Sequence, residues 1–202
     1  MAELNVELIQ KLRATSGAGM LDCKKTLTET NGDFDKALQI LREKGKTQAL
    51  KKVGRETKNG LISSYIHPGD RIGVMLEVNC ETDFVAKTDD FKKLVKEIGL
   101  QIAAASPAYL NRESIPKDVL DKEKEIYRKQ VLDEGKPEKI VEKIVEGKLE
   151  KFYQQVCLLD QPYIRDASGK EKITDLVKAV IAKTGENIQV RRFVRFQLGE
   201  EL

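Results

Sequence analysis

"GLISSYIHPGDRIGVMLEVN", residues 60–79, decides the fold class. After Gly60 the apolar period drops to two, and Ile72, Val74, Leu76 and Val78 share one face of an extended chain. His67-Pro68-Gly69-Asp70, between the two apolar runs, carries the chemistry of a hairpin turn. A hairpin alone is marginal in water, so a third strand has to join it. "NIQVRRFVRFQL" (187–198) supplies one: Ile188, Val190, Val194, Phe196 and Leu198 alternate, interrupted at Arg192.

Helical spacing holds on both sides of the hairpin. Phe91, Leu94, Val95, Ile98 and Ile102 form one apolar stripe, with Thr88 as its cap and Asp89 and Asp90 at the positive end of the helix dipole. Two highly charged helices follow, over about 117–132 and 138–157 around "DEGKP", with Pro137 suited to the first turn of the second. Ile140, Ile144, Val145 and Leu149 are the stripe expected to close this helical hairpin. A last helix is predicted over about 172–183.

Before the hairpin, residues 1–45 divide into three short helices. Leu4, Leu8, Ile9 and Leu12 lead to "SGAG" (16–19), Cys23 and Leu27 lead to Asn31-Gly32, and Asp33 caps a third carrying Phe34, Ala37, Leu38 and Leu41 before Gly45. The polar segment 46–59 reads as a linker or a frayed helical extension. The expected organisation is a helical module over 1–46, a linker over 47–59 and an α+β domain over 60–202, with its helical hairpin at about 117–157. The class is α+β.

Composition narrows the function. The 202 residues are 40% hydrophobic and 34% charged, with 36 basic against 33 acidic side chains, a soluble globular balance without a basic stripe. No apolar run approaches the roughly 20 residues of a membrane-spanning helix. The opening "MAELNVELIQ" has no apolar core and is not expected to be a secretory signal. Three scattered cysteines, Cys23, Cys80 and Cys157, fit a reducing, cytoplasmic setting. One histidine, His67, sits in turn chemistry, so His–Cys metal sites and Ser–His or Cys–His pairs are not expected. No cofactor is expected either. The adjacent carboxylates Asp89 and Asp90 are explained more simply by the helix dipole than by acid–base chemistry.

One residue resists that economy. "NCETDFVAKTDDF" (79–91) sets Phe84 in a strongly polar run at a strand–helix junction, where loops carry function. The ring either staples the start of the following helix or faces a partner. Met20 and Arg13 are similarly open: Met20 belongs to the small core or to a contact surface, and Arg13 to a solvated face or to that same surface. Cys23 and Leu27 are assigned to the core, leaving the Met20-Leu21 pair as the contact.

"NCETDFVAK" (79–87) resembles the signature of the elongation factor Ts family, the guanine-nucleotide exchange factors of elongation factor Tu. "LRATSGAGMLDCKKTL" (12–27) resembles that family's N-terminal motif, with Ser16 where Thr is usual, Leu21 for a second Met and Thr26 for Ala. "EGKPEKIVEKIVEGKLEKF" (134–152) and "GENIQVRRFVRF" (185–196) are also similar to family segments. The resemblance implies a ubiquitin-associated-like three-helix module, a linker, and an antiparallel sheet with helices. It implies that Thr82, Asp83, Phe84 and Val85 disturb the magnesium and phosphate site of elongation factor Tu, and that Arg13, Met20 and Leu21 hold a helix of the same GTPase domain. With one hairpin and one "TDF" the chain is similar to the short form, which pairs with a second copy in a two-plus-two complex. No covalent chemistry, membrane or direct nucleic-acid partner is implied. An RNA-binding protein using "KKVGRETK" (51–58) and "VRRFVR" is the rival class, and it predicts steep salt dependence.

Overall fold

The computed structural model describes residues 6–200, except for the side chains of residues 46 and 48. Leu4 lies outside the described residues. The chain forms two compact units, each built from several segments.

The first unit holds residues up to 61 with 78–95 and 175–189. Helices α1 (Val6–Ser16), α2 (Met20–Glu29) and α3 (Phe34–Leu50) enclose Ile9, Leu12, Cys23, Leu27, Ala37 and Leu41, with Leu8, Ala18, Phe34 and Leu38 around them. α2 ends as expected at Asn31 and Gly32, both in the left-handed region, with Gly32 N donating to the Leu27 carbonyl at 2.8 Å. Asp33 then caps α3, its Oδ1 accepting from Lys36 N at 3.0 Å.

Gly45 does not stop α3. The helix runs on to Leu50 because Ala49 returns to the buried face, and Gly45 faces Ala182, where an added Cβ would lie 3.1 Å from the Ala182 methyl carbon. The expected linker therefore narrows to residues 51–58, which hold neither helix nor strand. Gly17, with φ of 69°, meets the Lys183 stem of α8 (Ile173–Thr184), and the Lys183 ammonium reaches Asp90 at 2.6 Å. The N-terminal helices and the start of α5 (Asp89–Ala105) thus share one support.

The sheet has the order β1-β2-β3, with β1 Asn59–Ile66, β2 Ile72–Cys80 and β3 Ile188–Gln197. His67 N bonds the Ile72 carbonyl across the hairpin turn at 2.9 Å, and Asp70 takes the positive φ that the turn demands. β3 is antiparallel to β2, since Leu198 N, just past its end, bonds Arg71 O, just before β2, at 2.8 Å. The β2 stripe is buried at Val74, Leu76 and Val78, as the alternation predicts. β3 departs from expectation. Ile188 and Val190 are buried, but Arg191 and Arg192 are both exposed and the alternation changes phase there: Phe193 and Arg195 take the more covered positions, and Val194, Phe196 and Leu198 are exposed.

The second unit holds residues 62–77, 96–174 and 190 onward. α6 (Lys117–Asp133) and α7 (Glu138–Val156) make the expected hairpin, sealed by Val131, Val141, Val145 and Leu149. The stripe is rotated by one residue at its start: Val141 is buried and Ile140 is exposed. Pro137 stands just outside the helix as its cap rather than in its first turn, and Val141, Val145 and Leu149 follow at four-residue spacing. At the hairpin's base Arg112 lies over the Tyr153 ring and grips Asp160 at 2.7 Å and Glu150 at 2.6 Å, two charge-assisted hydrogen bonds that raise its pKa. Buried Gln101 bonds Gln161, Pro162 O and Ile164 N, so the segment after α7 is tied to α5 by polar contacts that leave no partner unmatched there.

All five apolar residues of the α5 stripe are buried, and Thr88 caps the helix with its hydroxyl accepting from Phe91 N at 3.3 Å. Gly60 is the tightest point of the hairpin: φ is 146°, and an added Cβ would lie 2.2 Å from the Val78 carbonyl oxygen. Gly60→Ala is expected to lower stability by about 2–4 kcal/mol. Thermal unfolding measures this directly, and an unchanged melting temperature would contradict the close approach.

Candidate partner-binding surface

Residues 81–88 do not form a loop. Asp83–Lys87 is a five-residue helix, α4, set between β2 and α5. A helix this short has little stability of its own, so its ends must be held by other groups. Thr82 is the N-cap: its backbone is extended, and its hydroxyl accepts from Val85 N at 3.4 Å. At the other end the Thr88 hydroxyl donates to Val85 O at 2.7 Å. Asp83 and Lys87 pair at 2.6 Å across one turn, and that hydrogen bond holds the Asp83 carboxyl below its usual range.

This frame separates the four signature residues. Val85 is only 8% exposed and anchors α4 inward with Ala86, whereas Phe84 is 78% exposed. The staple reading of Phe84 is thereby set aside, since a ring stapling α5 would be covered by it. The expectation that Val85 adds partner contact does not fit its burial. Thr82 and Asp83 act within the turn.

Beyond Thr82 the support comes from the far end of the chain. The Glu186 carboxylate accepts from Thr82 N at 3.0 Å and from the Thr82 hydroxyl at 2.6 Å. In return Glu81 Oε1 accepts from Asn187 N at 2.6 Å, and the Asn187 side chain donates to Arg55 O at 2.8 Å. Cys80, buried beneath, donates its thiol proton to Thr82 O, and burial followed by the nearby Glu186 charge pushes its pKa up to about 11. None of these partners was visible in the sequence, because Thr82 and Glu186 are 104 residues apart and no local period links them.

The second cluster stands at the start of α2. Leu21 is 83% exposed and Met20 41%, while Cys23 and Leu27 are fully buried, which assigns Met20 mainly to the surface. Arg13, in the last turn of α1, is also exposed. Gly19 stands at the N-cap of α2 with no side-chain cap bond. Met20, Leu21 and Phe84 thus belong to one compact unit and all face out.

The arginines of the stretches named by the rival class are engaged. Arg191 and Arg192 both reach Glu77, Arg195 reaches Glu200, and Arg55 reaches Glu81. Asp90 is paired with Lys183 rather than with Asp89. Among the described residues no group of three or more His, Cys, Asp or Glu side chains could hold a metal ion, and no helix is long and apolar enough to cross a membrane. What the surface offers is shape and apolar area, the means of binding a protein.

Comparison with known proteins finds relatives along nearly the whole chain. The family model described as elongation factor TS matches residues 6–200. The elongation factor Ts of Thermoanaerobacter sp. (strain X514) is 57% identical over 197 residues, covering 98% of this chain and 96% of that protein. That of Desulforamulus reducens is 54% identical over 202 residues, covering 100% and 92%, and that of Fervidobacterium nodosum 57% over 198 residues, covering 98% and 100%. With a family match over 6–200 and relatives this close at full length, the chain belongs to the elongation factor Ts family of translation elongation factors.

Proposed function

We propose that the chain is a guanine-nucleotide exchange factor that binds elongation factor Tu in its GDP state, disturbs the magnesium and phosphate site, and so promotes GDP release in the cytoplasm. The observation that carries this is Phe84, a phenyl group held 78% exposed on a turn capped at both ends. Backbone amides and magnesium hold a nucleotide's phosphates in such GTPases, so a ring wedged beside them weakens the nucleotide without breaking a bond. No residue is asked to act as acid, base or nucleophile.

Energy limits what the ring does alone. Burying a Phe side chain is worth roughly 1.5–3 kcal/mol, or about a tenfold to hundredfold change in GDP affinity if realised only in the weakened state. The Met20-Leu21 pair, with Arg13 beside it, supplies the further contact, on a helix of the same GTPase domain. Linkage then requires GDP to weaken the factor's binding by the same ratio.

The exposed apolar residues of the sheet support a homodimer and, with two GTPases, a two-plus-two complex. Ile62 and Met75 line a cleft of about 390 Å³ with Val194, and Phe196 and Leu198 extend the exposed apolar residues along β3. The occupant we assign is the same face of a second copy. A two-fold pairing sets apolar residue against apolar residue, and the Glu77 carboxylate beside the cleft is already paired with Arg191 and Arg192.

Phe84→Ala is expected to melt as the wild type does, within about 0.5 kcal/mol. Its acceleration of fluorescent GDP release from elongation factor Tu is expected to fall about tenfold or more. A lowered melting temperature with full acceleration would overturn the wedge. Ile62→Glu is expected to sediment as a single chain at concentrations where the wild type sediments as two, and a single-chain wild type would overturn the homodimer.

A further inference from the structure

We infer that Glu186 is the positioning residue of the exchange surface: from the junction between α8 and β3 it sets the cap that aims Phe84. The inference rests on the exchange reading above and extends it to a residue outside the signature.

α4 is weak by itself. Five residues cannot hold a helical turn by themselves, and the Thr82 hydroxyl meets Val85 N at a long 3.4 Å. That hydroxyl has one proton. In the structure it donates to Glu186 at 2.6 Å, so a lone pair is left facing Val85 N. The second Glu186 oxygen accepts from Thr82 N at 3.0 Å, which holds the Thr82 backbone in the extended form a cap needs. One carboxylate thus fixes both the rotor and the backbone of the residue that starts the turn, and its negative charge lies at the favourable end of α4. The two donors use different oxygens, so an amide in the same place would face one of them with an NH2 group instead of an acceptor.

Glu186 is itself held in place. Gly185, with φ of 76°, closes α8 by donating its N–H to Ile181 O at 2.8 Å, and Asn187 N is bonded to Glu81 at 2.6 Å. The backbone is therefore fixed on both sides of Glu186, which sets where its carboxylate meets Thr82. Phe84, two residues from the cap, goes where the cap directs it.

The test uses the full chain with elongation factor Tu loaded with a fluorescent GDP analogue, with acceleration measured against factor concentration. In Glu186→Gln the Thr82 amide proton resonance is expected to move upfield, and the maximal acceleration to fall about tenfold, with the half-saturating concentration changed by less than about twofold. Glu186→Gln combined with Phe84→Ala is expected to be no slower than Phe84→Ala alone, because both act through one ring. Should Glu186→Gln fold poorly, Thr82→Val cuts the same bond from the other side and is expected to give the same pattern. An unmoved Thr82 amide would overturn the cap. A moved amide with undiminished acceleration, or a double variant that loses both effects in full, would overturn the positioning role. If the wild type gives no acceleration, it is the exchange reading that falls, and the amide shift then still decides whether Glu186 holds the cap.

Discussion

Two carboxylates, Glu81 and Glu186, each accept a backbone proton from the other's segment, and the end of the first unit that exposes Phe84 depends on that exchange. The crossing joins the exit of β2 to the entry of β3. Each segment would otherwise leave partly buried N–H groups unmatched, at a cost of about 1–3 kcal/mol apiece. Because the bonds are charge-assisted and mutual, neither segment can shift without breaking both. From this crossing the chain runs directly into α4, and from α4 into the capped, fully apolar stripe of α5.

The same unit keeps apolar groups out as deliberately as it keeps others in. Val85 and Ala86 are turned inward so that Phe84 points outward, and Cys23 and Leu27 are buried while Leu21 is not. Lys183 serves both regions, resting on Gly17 and pairing with Asp90. A binding protein gains from such rigidity, since side chains held in place in the free state lose little freedom on docking.

The second unit uses a different balance. Its helical hairpin has a slim apolar seam and a charged exterior, and it is fastened at the base by Arg112 on Glu150, Asp160 and Tyr153. Its sheet exposes Ile62, Met75, Val194 and Phe196, which the alternation in β3 could not reveal. Period two separates the faces of a strand, but it does not say whether anything covers them.

Much of this protein was legible in its residues, for physical reasons. The stripe from Phe91 to Ile102, the hairpin turn at Gly69-Asp70, the caps at Asp33 and Thr88 and the charged hairpin follow from local sterics and apolar periodicity, which act between neighbours in sequence. Where those local rules met an outside constraint they gave way: Gly45 continues a helix because Ala182 approaches it, and Val141 displaces Ile140 because of how α7 packs on α6. The exposure of Phe84 was undecidable from its neighbours, since a staple and a docking group have the same sequence. Tertiary structure alone decided it, by bringing Glu186 across 104 residues to Thr82, because a hydrogen bond depends on distance in space and not along the chain.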